Sequence, residues 1–330
     1  MRLAGLLCLM VWPVFGQYAA HREGDVVRLE DAKNQTVVSI TPSRGNNGAS
    51  IKVKGKDVLQ GIGGMAGIPV LAPWANRLDE TAFYANGKKY PFNLGLGNVR
   101  GPIPIHGLVQ NATQWEVVEV KADQNSAWVT SRLDFYRNPD WMAQFPFAHT
   151  IEMTHRLKDG ALEVMVKLNN LSTAPMPVAI GFHPFFQVTD APRDEWTFNI
   201  AARTHWIYNN QIPTGETEPI EKFLPNPHGG SLKGMKLDDL FTDLIRDVSG
   251  KATMWLQGKN ERVEVSFGPK YPAAVVWFPA GPTQNFICFE PMAGITDGLN
   301  LAQKGLYKDL QSIPPGQSWQ ESFWIKALGF

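Results

Sequence analysis

Apolar and polar residues alternate singly along most of this chain. Leu162, Val164, Val166 and Leu168 alternate with Glu163, Met165, Lys167 and Asn169, and Val263, Val265 and Phe267 with Arg262, Glu264 and Ser266. Ile151, Met153 and Leu157 share a side with His155, opposite Thr150, Glu152, Thr154 and Arg156. Successive side chains of a strand point to opposite faces, so a period of two predicts half-buried antiparallel strands. The same reading covers Val37–Ile40, Trp115–Val120, Ala127–Phe135, Thr197–Ala201, Ala273–Phe278 and Trp319–Ile325. Clusters of Gly, Pro and Asn at 42–48, 61–69, 95–104, 225–234 and 314–316 predict the turns between them. No segment sustains a helical period beyond two turns, and Leu237 to Ile245 is the best short helix candidate. Neither a repeat nor a low-complexity linker divides the chain. The pattern predicts an all-β fold, one large antiparallel β-sandwich with long loops.

Composition narrows the partners. Lys and Arg total 31 against 31 Asp and Glu, and no basic block exists to pair with phosphates, so nucleic acid is not an expected partner. The 30 glycines, 24 prolines, 11 tryptophans and 18 phenylalanines suit a turn-rich β protein with wide ring surfaces. At the N-terminus, Arg2 precedes an apolar segment from Leu3 to Phe15 and a small residue at Gly16. Residues 1–16 read as a signal peptide cleaved before Gln17, which predicts export to a periplasm or the exterior and no membrane attachment afterwards. A retained anchor is the alternative. Cys8 would leave with the signal, and Cys288, inside Phe286-Ile287-Cys288-Phe289, reads as a small buried hydrophobe rather than a nucleophile.

Five short motifs could carry chemistry: Pro73-Trp74-Ala75-Asn76-Arg77, Ile105-His106-Gly107, Gly181-Phe182-His183-Pro184-Phe185-Phe186, Leu237-Asp238-Asp239-Leu240-Phe241 and Cys288-Phe289-Glu290-Pro291-Met292. Each also has a structural reading. Arg77 could be a surface arginine and His106 a hydrogen-bonded loop histidine, and either aspartate could cap a short helix. Glu290 is the sharpest, because an acid ending so apolar a strand is costly to bury unpaired. His183 is the residue whose ordinary pKa best suits proton exchange near neutrality. The histidines lack the spacing of a zinc motif, and no Gly-x-Ser-x-Gly elbow occurs.

Taken in order, the five motifs resemble the aldose 1-epimerase (galactose mutarotase) family. The resemblance runs from Asp25 to Ile325 and includes the turn Pro314-Pro315-Gly316-Gln317-Ser318, so 25–330 is expected to be one domain. It implies a β-sandwich with a sugar site in an open cleft, and a monosaccharide as partner. Carried over by motif, Glu290 matches the family's general base and His183 its general acid. His106, Arg77 and Asn76 match groups that hold the sugar's oxygens. Asp238 matches an acid that binds sugar hydroxyls, with Asp239 as the alternative because the doubled acid leaves the register open by one. Trp277 stands where an aromatic platform would lie under the ring. The proline and tryptophan before Asn76-Arg77 depart from the best-known galactose mutarotases, which leaves the substrate open. A neighbouring branch acts on hexose 6-phosphates and needs further basic residues, for which Arg100 is the candidate. A carbohydrate-binding protein without turnover is the remaining alternative.

The implied reaction opens a hemiacetal ring and closes it with the other face exposed. A base takes the proton from the hydroxyl on carbon 1 while an acid protonates the ring oxygen, each well-placed group contributing about 10²–10⁴-fold. No metal or organic cofactor is needed. Apolar neighbours are expected to raise the Glu290 pKa, and nearby acids to keep His183 protonated.

Overall fold

The computed structural model describes residues 16–62, 65–95, 99–281 and 284–330. The expected signal sequence, apart from Gly16, lies outside these residues. Every ladder between named strands is antiparallel. A first sheet of five strands is a simple meander from Tyr18–Glu23 to Lys56–Asp57. A nine-stranded sheet runs in the order Glu116–Ala122, Ala127–Asp134, His149–Lys158, Ala161–Asn170, Ser318–Leu328, Arg262–Phe267, Ala252–Gln257, Thr197–Asn199 and His228–Ser231. An eight-stranded sheet packs against it. Its order is Ile212–Pro219, Ala202–Asn209, Leu237–Leu244, Ala273–Phe278, Ile287–Met292, Gly181–Phe182 and Val70–Leu71, with Phe185–Phe186 also paired to Ile287–Met292.

Alternation decides which side chains meet between the sheets. In Ala161–Asn170 the buried positions are Leu162, Val164, Val166, Leu168 and Asn170, the alternation the sequence pattern requires. Phe323 of the nine-stranded sheet meets Phe182 of the eight-stranded one at 4.8 Å between ring centres, and Phe198 meets Phe278 at 5.8 Å. All four rings are fully buried. Burying each contributes about 1.5–3 kcal/mol, which fixes the two sheets face to face.

One expectation fails. Leu237 to Ile245 forms no helix; Leu237–Leu244 is a strand between Ala202–Asn209 and Ala273–Phe278. Its apolar residues mimic a helical stripe because both faces of this strand are covered. Leu237 and Phe241 join the main core, while Leu240 joins a second cluster with Trp206, Val275 and Ile295 on the other side. A strand apolar on both faces loses its period of two. Asp238 and Asp239 therefore cap nothing.

Candidate active site

Adjacent strands of the eight-stranded sheet lay the candidate residues out in rows. Asp238 pairs with Trp277, Trp277 with Cys288, and Cys288 with Phe185. One step along, Leu240 pairs with Val275 and Val275 with Glu290. The pairs Gly181–Met292 and Phe185–Cys288 bracket His183 and set it opposite Glu290. Cross-strand partners share a face, so Asp238, Trp277, Glu290 and His183 project on the side away from the core.

Two loops close over that face. His106 Nα–H donates to the Asn76 carbonyl at 3.0 Å, and Arg77 bridges to Ile105, so the two motif loops are clipped together. Asn76 and His106 both adopt left-handed backbone, with φ of 56° and 62°. Non-glycine residues there are uncommon and cluster at functional sites. Gly107 follows with φ of 65°, and an added Cβ would sit 2.1 Å from the Ala72 carbonyl oxygen. The close approach of these loops requires glycine at that position.

The result is a cleft of about 420 Å³, lined by Asn76, Arg77, His106, His183, Asp238, Trp277 and Glu290 together with Met65, Val99, Arg100, Ile105 and Gln110. All seven residues singled out from the sequence come together. The volume falls in the range of about 300–1,000 Å³ usual for small-molecule sites. Met65 and Gln110 lie outside the motifs, and isolated residues of this kind give no sequence signal.

At the floor, His183 Nε2 lies 3.3 Å from Glu290 Oε1, with both side chains almost fully buried. Phe185 stacks on the imidazole at 4.7 Å and 18°, while Trp277 meets it edge-on at 5.5 Å. Phe186, the next residue, packs toward Phe289 in the core. On the cleft wall, Arg77 Nη1 donates to Asn76 Oδ1 at 2.9 Å, and Nη2 reaches Asp238 Oδ2 at 3.4 Å. Gln211 Nε2 donates to the same oxygen at 3.2 Å. Asp239 turns away, its Oδ1 3.2 Å from His205 Nε2.

Burial governs the electrostatics. Desolvation holds the Glu290 carboxyl well above the usual range, with the Asp238 charge adding to the rise and Arg77 opposing it. Desolvation also pushes the His183 imidazole down to about 3, and the charges of Arg77 and Arg100 act the same way. His106 is held well below its ordinary value by burial and by neighbouring His183, Arg77 and Arg100. The expectation that acids keep His183 protonated is therefore corrected: Glu290 is the acid in contact, and burial of the imidazole outweighs it. Both directions favour a pair that holds one proton and no net charge.

The match to the family model described as aldose 1-epimerase spans residues 25–326. This chain belongs to the aldose 1-epimerase family. Solved structures agree on the fold. A galactose mutarotase-like protein from Clostridium acetobutylicum superposes with a TM-score of 0.81 at 22% identity, over 95% of this chain and 98% of that one. The Slr1438 protein of Synechocystis sp. PCC 6803 gives 0.74 at 22% identity, over 97% and 100%. By sequence, the chain is 26% identical over 173 residues to the uncharacterized protein YihR of Escherichia coli K12, covering 52% of this chain and 53% of that relative. That match spans about half the length of the curated relative. As an aldose 1-epimerase family member, the protein carries its cleft on the outer face of a sheet whose other face is core.

Proposed function

We propose that this protein interconverts the α and β anomers of a free aldose by acid–base ring opening and closure. The observation that carries the reading is the 3.3 Å contact between His183 Nε2 and Glu290 Oε1 at the floor of a cleft walled by hydrogen-bonding groups. Glu290 takes the proton of the hydroxyl on carbon 1, and His183 delivers a proton to the ring oxygen. The open aldehyde then rotates about the bond between carbons 1 and 2, and closure runs the two transfers backward. A pair holding a single proton suits this cycle, because moving that proton across the contact changes which group donates without changing net charge. Arg77, His106, Asn76 and Asp238 hold the sugar's oxygens, and Trp277 offers its ring to the sugar's apolar face.

One observation favours a second substrate class. Arg100 is exposed at the rim of the cleft, and its guanidinium has no hydrogen bond or ion pair among the described residues, so a phosphorylated aldose could meet it. Exchange NMR with glucose, galactose and glucose 6-phosphate tests both readings. The proposal expects faster exchange for a free sugar than for the phosphate; preference for the phosphate would support the second reading. Binding without faster exchange would leave a carbohydrate-binding protein.

A further inference from the structure

Cys288 lies beside the His183–Glu290 contact. It precedes Glu290 by two residues on the strand Ile287–Met292, so both side chains project on the cleft face. It packs with Phe185, Phe286 and Trp277, of which Phe185 and Trp277 lie against His183. Ligand atoms of His183, Cys288 and Glu290 all lie within 4.8 Å of one another, and this is the one such group among the described residues. Glu290 Oε2 is buried without a hydrogen-bond partner.

Imidazole nitrogen, thiolate sulfur and carboxylate oxygen are the donor set of zinc sites. In a tetrahedral site with zinc–nitrogen and zinc–oxygen bonds near 2.0 Å, the nitrogen–oxygen edge is about 3.3 Å. The His183 Nε2 to Glu290 Oε1 separation is 3.3 Å. The edges to sulfur need about 3.6 Å, and those present are no longer than 4.8 Å. Binding displaces to solvent the thiol proton and the proton shared by the His183–Glu290 pair, and the thiolate and carboxylate so formed neutralise a divalent cation. His183 and Glu290 line the cleft, so a fourth position opens toward it.

We propose that the cleft floor binds zinc, or another thiophilic divalent cation, through His183 Nε2, Cys288 Sγ and Glu290. Resting on the acid–base reading above, the bound ion inhibits anomer exchange, because it occupies both groups that move protons. The metal-binding claim stands without that reading.

The test uses the full chain carrying Cys8→Ser, so that Cys288 is its one thiol. Cobalt(II) added to chelator-stripped protein should produce a near-ultraviolet thiolate-to-cobalt band that zinc abolishes and Cys288→Ala lacks. Zinc should inhibit anomer exchange reversibly, with Cys288→Ala active and less sensitive by at least about tenfold. No thiolate band, the same band in Cys288→Ala, or equal inhibition of both proteins overturns the proposal. If Cys288→Ala fails to fold, Cys288→Ser and His183→Gln replace it, and an unchanged band in either is contrary. If no variant catalyses exchange, the cobalt band still decides the site, separating its failure from that of the proposed function.

Discussion

Asp238 and Asp239 are neighbours in sequence that face opposite ways across one sheet. Asp238 Oδ2 meets Arg77 Nη2 at 3.4 Å in the cleft, while Asp239 Oδ1 meets His205 Nε2 at 3.2 Å behind it. The doubled acid thus resolves into a cleft-wall residue and a support. Hydrogen bonds to charged groups are worth about 1.5–3 kcal/mol, so Asp238→Asn should raise KM about 10–100-fold at similar stability. Asp239→Asn should lower stability by about 1 kcal/mol, since it removes the charge from one of two acid contacts to a buried imidazole that keeps Glu218, and leave KM within a few-fold. Steady-state exchange rates and thermal melts of both variants check the split.

The His183–Glu290 pair sets the expected pH profile. Burial lowers His183 to about 3 and raises Glu290, so the one-proton state spans the interval between them. The alkaline loss of activity then belongs to the raised Glu290 carboxyl. Independent groups with ordinary values, about 4.3 and 6.5, would instead confine activity to a bell near pH 5.4. Measured kcat/KM should therefore persist as pH falls to about 4, with its acid limb set by His183 near 3. An acid limb at an ordinary carboxylate value, about 4.3, would count against the coupled pair.

Asp297 supports the Arg77 loop and makes stability depend on pH. Its Nα–H donates to the Arg77 carbonyl at 2.9 Å, its Oδ1 accepts from Asp79 Nα–H at 3.0 Å, and its Oδ2 is buried without a partner. Desolvation and the Asp79 charge push its carboxyl up to about 8. The folded state then keeps a proton that the unfolded state has lost, so this group's contribution is full below about pH 4 and is lost as pH rises toward 8. Asp297→Asn should flatten that decline, melting several degrees higher relative to wild type at pH 8 than at pH 5. Parallel pH dependences for the two proteins would show that Asp297 does not titrate as described.

Glycine at 107 is required by contact as well as by conformation. Gly24 has a similar φ of 60° but open space around it, whereas a Cβ at Gly107 would collide with the Ala72 carbonyl. Gly24→Ala should cost about 1–2 kcal/mol, the ordinary penalty of a left-handed residue. Gly107→Ala should cost more than about 3 kcal/mol and raise KM by displacing His106. Denaturant unfolding of the two variants separates the terms.

Much of this molecule was legible in its sequence, for physical reasons. Strands such as Ala161–Asn170 bury one face and show it by strict alternation, and the five motifs supplied every residue expected in the cleft except Trp277, which came from the apolar run Ala273–Phe278. Leu237–Leu244 was misread because burial on both faces gave its apolar residues a helical spacing. Proximity was illegible too. Nothing local to Cys288 says that its thiol lies beside the imidazole of a residue more than a hundred positions away; only the register of Phe185 against Cys288 does. The direction of the His183 pKa was missed for a similar reason, since desolvation depends on what the fold packs around the ring.

The central claim is that Glu290 moves a proton on a bound sugar. Its most direct test is two-dimensional exchange NMR of the anomers of the preferred aldose, run with wild type and Glu290→Gln at matched saturation, with binding measured by calorimetry. Loss of a positioned base predicts a fall in exchange of about 10²–10⁴-fold with binding retained within a few-fold. Near-normal exchange by Glu290→Gln would contradict the account.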